Sequence, residues 1–358
     1  MKRILVYGMT NNKGGIEAYI MNIFRAMDKT RIMFDFVTDF DEMVYADEVI
    51  ARGAKVYYIP AKRKHPVGQL RAFSRLLKAH PEYDTVYFNI LDAGSFYNML
   101  PAVWRKRRIV VHSHNGDTSK KALHSIFRPW LVRYSAAKLA CSEAAARFMF
   151  GESAAKDVTV IHNAINLEAL RFNEAMRVCK RAEMGLKEES FTICHIARMD
   201  AQKNPLFMLE IFEAIRRLDD NAMLLYAGGG PMEQEVKAFA EVKVLRNIRF
   251  LGMRSDVPEL LQAADAFLLP SLYEGLPVSL IEAQAAGLSC FVSTAVSAEA
   301  DITGLVEFIS LNQSAEFWAE KVLEAKGKPR PEMYAKIQGM GYDIASEVKS
   351  IEKLLASE

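Results

Sequence analysis

Short apolar runs recur along the first half of the chain, at residues 3–8, 33–38, 54–60, 85–89, 109–113, 138–142 and 158–162. Each is five to seven residues long and bounded by polar or glycine-containing stretches, the signature of strands buried on both faces. Stretches with helical spacing of apolar residues fill most of the gaps, at 16–27, 67–79, 96–105, 122–135 and 142–150. The second half repeats the alternation, with strand-like runs at 191–196, 223–226, 248–252, 265–270 and 289–293 and helices at 205–217, 278–286 and 314–325. Strand and helix alternating in this way predict doubly wound parallel sheets. Residues 167–190 are polar and charged and read as a linker containing a helix. A last amphipathic helix is expected over 344–355, after an interruption at Gly339 and Gly341.

At 358 residues the chain suits two domains rather than one core, and 51% apolar residues make both foldable. The net charge of +2 argues against general nucleic-acid binding. The charge is unevenly spread. Residues 1–170 hold 25 Lys/Arg against 16 Asp/Glu, and residues 171–358 hold 21 against 28. A basic half and an acidic half point to different partners. The four cysteines are scattered without a C-x-x-C pair, which fits a reducing compartment and gives neither a disulfide framework nor a zinc site. The longest apolar runs fall short of the ~18 residues that span a bilayer. The N-terminal apolar run is too short for a signal peptide and reads as a first strand. A cytoplasmic protein is expected.

The chemistry concentrates at 271–287, SLYEGLPVSLIEAQAAG. A strand ends in a loop, Gly275 and Pro277 punctuate it, and a helix follows that Gly287 stops. Unpaired N–H groups at that helix start favour a phosphate. Glu274 precedes the helix, while Glu282 lies one turn inside it and shares a face with Ser279. Arg198 and Lys203 follow another strand end just before a helix, where a fork and a point charge can clamp a diphosphate. Gly228–Gly230 close a third strand, and Gly14 and Gly15 precede the first helix of the chain. His112 and His114 flank Ser113 at the end of a strand, where ligands bind in open parallel sheets. Asp39 and Asp41 form a D-x-D triplet far in sequence from these residues and read as loop carboxylates rather than metal ligands.

Glu274 and Glu282, joined by seven residues through Gly-Leu-Pro, resemble the E-x7-E motif of retaining glycosyltransferases of family 4, which have the GT-B fold. The spacing from Arg198 to Lys203 matches the family's R-x-x-x-x-K, the turn at 227–231 resembles A-G-x-G-P, and 160–166 (VIHNAIN) is similar to the family's interdomain V-I-P-N-G-I-D, with His for Pro, Ala for Gly and Asn for Asp. The resemblance implies two Rossmann-like domains with parallel sheets facing across a cleft. The acceptor domain would span 1–168 and the nucleotide-sugar donor domain 169–335, and 336–358 would return to the first domain as a helix. It further implies an EC 2.4 enzyme of hexosyltransferase type that moves a sugar, with UDP as the default nucleotide, to a saccharide or lipid-linked acceptor. His114 would contact the transferred sugar and Glu274 its hydroxyls, and Glu282 would hold the ribose. Arg198, Lys203 and the N–H groups near Leu276 and Pro277 would bind the diphosphate, with Gly229, Gly275 and Ser279 lining the site and Gly14 and Gly15 facing the phosphates. Neither metal nor other cofactor is implied. The basic clusters 62–64 and 105–108 suggest peripheral contact with anionic membranes. Two other readings stay open on the residues alone, a non-catalytic sugar-nucleotide sensor and a carboxylate-pair glycoside hydrolase.

Overall fold

The structure is a computed structural model that describes residues 1–12, 14–118 and 120–356. The chain divides into two compact units. The first comprises Met1–Ala164 and the segment from Gly341 onward, and the second is Ile165–Met340.

The first unit holds the strands β1 (Lys2–Tyr7), β2 (Ile32–Thr38), β3 (Val56–Tyr58), β4 (Thr85–Ile90), β5 (Arg108–Ser113), β6 (Ala137–Ala140) and β7 (Thr159–Val160). They form one parallel sheet in the order β3-β2-β1-β4-β5-β6-β7. β2 is buried along its whole length and even encloses a carboxylate, Asp35. That charge is tolerated because Arg3 grips it with two bonds of 2.6 Å, and the Tyr83 hydroxyl and Lys55 N–H donate at 2.7 and 2.6 Å. Strand order reverses between β1 and β4. The C-terminal ends of those two strands therefore flank the crevice in which doubly wound sheets bind ligands.

The helix Ile344–Ala356 belongs to this unit. Its residues Ile344, Val348, Ile351 and Leu355, spaced by four, three and four, enter the same apolar core as Ile20 and Phe24 of the helix Gly15–Ala26. Glu352 accepts from the N–H of Asp28 at 2.7 Å, and Arg108 donates to the carbonyl of Leu354 at 3.0 Å. Gly341, at φ +83, lies beside the segment that leaves the unit: a Cβ there would sit 3.1 Å from Nδ1 of His162.

The second unit has six parallel strands, β8 (Thr192–Ile196), β9 (Met223–Ala227), β10 (Ile248–Gly252), β11 (Ala266–Leu269), β12 (Ser289–Ser293) and β13 (Val306–Ile309), in the order β10-β9-β8-β11-β12-β13. The reversal falls between β8 and β11. Residues 167–190, expected as a linker, are instead clamped to this unit. Arg177 and Arg181 of the helix Glu174–Glu183 donate to the carbonyl of Ala263 at 3.2 and 2.8 Å, and Arg177 pairs with Asp265 at 2.6 Å. A polar, charged segment thus folds by satisfying the orphan carbonyls at the end of a neighbouring helix. The helix Glu233–Val242 has no counterpart in the sequence reading.

Candidate functional site

The switch point of the second unit brings together loops 71 residues apart. After β8 the chain makes the short turn Ala201–Lys203, capped by Asp200, whose carboxylate accepts from the Lys203 N–H at 3.3 Å. After β11 it runs through Ser271–Pro277 into the helix Val278–Ala285. The two loops are tied by the N–H of Leu272 donating to the carbonyl of Gln202 at 2.8 Å. Glu274 is held on both sides, its N–H on Ala295 (3.2 Å) and its carbonyl taking the N–H of Ser297 (3.0 Å). Its carboxylate, 8% exposed, forms an ion pair with Lys203, and Gln202 Nε2 reaches its other oxygen at 3.4 Å. Two residues predicted separately are therefore direct partners. Gln202, which also donates to the Tyr273 carbonyl at 3.0 Å, was missed because a single Gln in a loop carries no pattern.

The turn into the helix Val278–Ala285 leaves donors free. Leu280 and Ile281 donate to the Pro277 carbonyl at 3.0 and 3.3 Å. The N–H groups of Gly275, Leu276, Val278 and Ser279 have no acceptor among the described residues. Pro277 has no N–H to offer; it fixes φ at −69° and serves as the helix's first flanking residue. Gly287 ends the element at φ +71, where a Cβ would strike the Pro331 carbonyl at 2.6 Å.

One turn into that helix lies Glu282, half-buried and without a hydrogen-bond or ion-pair partner among the described residues. Burial pushes its carboxyl up to about 7. The two carboxylates of the motif thus have opposite environments, Glu274 paired with a cation and Glu282 alone. Arg198 differs from Lys203 in the same way. Its side chain is 59% exposed, and among the described residues it pairs only with Asp200, at 3.8 Å.

The glycine turn has a structural explanation. A Cβ on Gly228 (φ +146) would lie 1.9 Å from the Ala197 carbonyl oxygen, and one on Gly230 would lie 2.4 Å from that of Met199. The turn packs backbone to backbone against the Arg198 loop, with Met199 N–H on Gly229 O at 3.0 Å. Gly229 itself meets only side chains. Beneath these loops lies His195, fully buried, its Nδ1 on the Leu268 carbonyl at 2.7 Å and its pKa lowered by burial to about 4.

In the first unit, Gly14 and Gly15 open the helix Gly15–Ala26. Glu17 ties this start down by accepting from the Gly14 N–H at 3.1 Å and the Thr10 hydroxyl at 2.6 Å. A Cβ on Gly14 would sit 2.7 Å from that carboxylate, whereas one on Gly15 would meet nothing within 4 Å. Asp39 of the D-x-D triplet accepts from the Tyr7 hydroxyl at 3.1 Å, so it is more than a solvated carboxylate.

His114 follows β5, its N–H on the Ile90 carbonyl at 3.2 Å. Its ring stacks on His112 with centroids 4.2 Å apart and lies 5.0 Å from the Tyr19 ring. Nε2 is 2.9 Å from Oδ1 of Asn89. With that amide orientation the proton sits on Nε2 and bare Nδ1 points inward, buried and without a partner. The ring is turned into the sheet, which a strand-end position does not predict. Burial lowers its pKa to about 3. His114 is therefore neutral throughout the physiological range, and the pH–kcat/KM profile should carry no His114 step between pH 5 and 9. Asn89→Asp places a carboxylate against Nε2 and raises that pKa, so a new loss of activity on acidification should appear. Identical profiles for the two proteins would refute this placement of the proton.

Comparison with known proteins agrees with this architecture. Residues 179–339 match the family described as Glycosyl transferases group 1, and residues 13–169 match Glycosyltransferase Family 4. The putative glycosyltransferase EpsF of Bacillus subtilis is 31% identical over 98% of this chain and 95% of its own. The Escherichia coli UDP-Gal:alpha-D-GlcNAc-diphosphoundecaprenol alpha-1,3-galactosyltransferase is 30% identical over 51% of each chain. Among solved structures, Anabaena HepE in complex with UDP and glucose superposes with a TM-score of 0.78 over the whole of both chains at 16% identity.

Proposed function

The chain belongs to the family 4 glycosyltransferases, and from that premise we propose that it transfers a sugar from a nucleoside-diphosphate sugar, with retention of anomeric configuration, to a lipid-linked or saccharide acceptor. Membership sets aside the hydrolase and sensor readings. The observation that carries the proposal is the sequence of groups along 275–282 without partners among the described residues: four unaccepted N–H groups, then one turn later a carboxyl. The N–H groups and the helix dipole suit the two phosphates. The carboxylate suits the vicinal ribose hydroxyls, which donate to it. Exposed Arg198 and the Lys203–Glu274 pair flank the same loops.

The residues act by position and charge. Glu274, paired with Lys203, keeps lone pairs for hydroxyls of the transferred sugar. Arg198, with the N–H groups, balances the charge that grows on the leaving diphosphate as the glycosidic bond breaks. That oxygen then takes the proton of the attacking hydroxyl on the same face, and no protein nucleophile enters. His114 has Nε2 on Asn89 and Nδ1 buried, so in this ring orientation it offers a sugar hydroxyl no open nitrogen. At the first helix Gly15 is open, a Cβ there meeting nothing within 4 Å, while the Gly14 N–H is already taken by Glu17. UDP as the nucleotide draws support from the HepE complex, and a lipid diphosphate acceptor from the Escherichia coli relative. A reaction site on the cytoplasmic face of a membrane is consistent with such an acceptor. Among the described residues no helix is long and apolar enough to cross a membrane.

Calorimetry with UDP tests the site. Glu282→Gln should weaken binding about tenfold or more, because a hydrogen bond to a charged group is worth about 1.5–3 kcal/mol. Binding requires the ionised carboxyl, so wild-type affinity should rise with pH through about 7 and level off above it. The raised carboxyl has the opposite effect on the ligand-free fold. Its stabilising share is fully present below the ordinary glutamate range and is lost as pH rises through about 7. Unchanged affinity in Glu282→Gln would remove Glu282 from the site.

A further inference from the structure

In the first unit the helix Lys121–Tyr134 carries an apolar stripe that the core does not use. Leu123, Ile126, Trp130 and Tyr134, spaced by three, four and four, are 49, 62, 52 and 38% exposed. The opposite face is fixed inward. Leu131 is fully buried, and His124 is buried with Nδ1 accepting from the Ala93 N–H at 3.1 Å and Nε2 donating to the Phe148 carbonyl at 3.0 Å. Phe96 stacks on Tyr134 at 5.8 Å and brackets one end of the stripe. The helix cannot roll its exposed face into the unit without breaking the His124 bonds.

The charges around the stripe indicate what covers it. The helix contains Lys121, Arg128 and Arg133 and no acidic residue, and residues 93–142 hold nine Lys/Arg against the single acid Asp117. A second copy packed on this face would set like charges against each other. A protein surface would need an acidic rim matched to the stripe. An anionic lipid surface supplies negative charge everywhere and an apolar layer beneath it, into which Trp, Ile and Leu insert while Lys and Arg stay among the headgroups. We propose that the helix Lys121–Tyr134 lies flat on an anionic bilayer with Leu123, Ile126 and Trp130 inserted. The inference extends the proposed function, since it would bring the enzyme to a lipid-linked acceptor, but nucleotide binding does not depend on it. It also shifts the expected membrane contact from basic clusters alone to an apolar face with a basic surround.

The test is co-sedimentation with vesicles of phosphatidylglycerol and phosphatidylethanolamine, and with phosphatidylcholine vesicles as the neutral control. The wild type should partition onto the anionic vesicles at low salt, more weakly at high salt and far less onto phosphatidylcholine. Ile126→Glu with Trp130→Gln should lower the partition coefficient at least tenfold. Lys121→Gln with Arg133→Gln should lower it severalfold at low salt. UDP affinity should match wild type in both double variants, which shows that they are folded. Absence of wild-type binding at low salt, equal binding by the Ile126/Trp130 variant, or a solution dimer that this variant dissolves would each overturn the proposal. Failure of the wild type to bind UDP would instead sink the nucleotide-sugar reading and leave the vesicle result standing.

Discussion

Arg198→Ala should lower turnover on the order of a hundredfold or more while leaving thermal stability nearly unchanged. The two halves of this expectation have separate grounds. The side chain is 59% exposed and its nearest acid is 3.8 Å away, so the fold does not lean on it. A departing nucleoside diphosphate, however, concentrates negative charge, and removal of one preorganised donor aimed at such charge costs about 10²–10³ in rate, or about 2.7–4 kcal/mol. Arg198→Lys should recover only part of the loss, because an ammonium lacks the fork that takes two phosphate oxygens at once. If fixed cations and helix N–H groups carry this charge balance, EDTA should leave the wild-type rate nearly unchanged. Activity abolished by EDTA and restored by magnesium or manganese would show that the balance lies elsewhere.

Lys203→Met should behave differently, losing both activity and stability. Its ammonium neutralises Glu274, whose carboxylate is 8% exposed. Removing one partner of a fully buried pair costs about 3–5 kcal/mol, mainly because the other charge is stranded. Lys203 keeps 19% exposure, so a loss of roughly 2–3 kcal/mol is expected here. The double variant Lys203→Met with Glu274→Leu removes the stranded charge and should regain most of that stability, yet remain inactive. Urea denaturation of the single and double variants measures the coupling. Additive losses in the double variant would mean that the pair is incidental to the fold.

The parallel strands were legible because burial on both faces leaves continuous apolar runs, and Leu5, Val6, Phe88 and Leu268 all lie in such runs. The turn at 275–287 was legible because glycine and proline mark local backbone chemistry. Relations across the sheet were not. The Lys203–Glu274 pair joins residues 71 apart, and its existence depends on β8 and β11 being neighbours, which strand order decides and local pattern does not. The inward turn of the His114 ring depends on Asn89, set opposite His112 by the β4–β5 register. The clamping of 167–190 was hidden because Arg177 and Arg181 look solvated until the carbonyls they reach are known. The exposed stripe on Lys121–Tyr134 could not be told from a core face, because the helix is apolar on both sides and periodicity does not say which side is covered.

The helix Ile344–Ala356 has a consequence for how the molecule is made. Ribosomal synthesis delivers residues 1–164 first, but the core they build stays open on one side until Ile344, Val348, Ile351 and Leu355 emerge. Each such side chain contributes roughly 1.5–3 kcal/mol when buried, a sum comparable to the whole stability of many domains. The second unit, being continuous from Ile165 to Met340, has no such wait. During translation the later unit can therefore be finished while the earlier one still shows Ile20 and Phe24 to chaperones, in reverse of the usual N-terminal-first order.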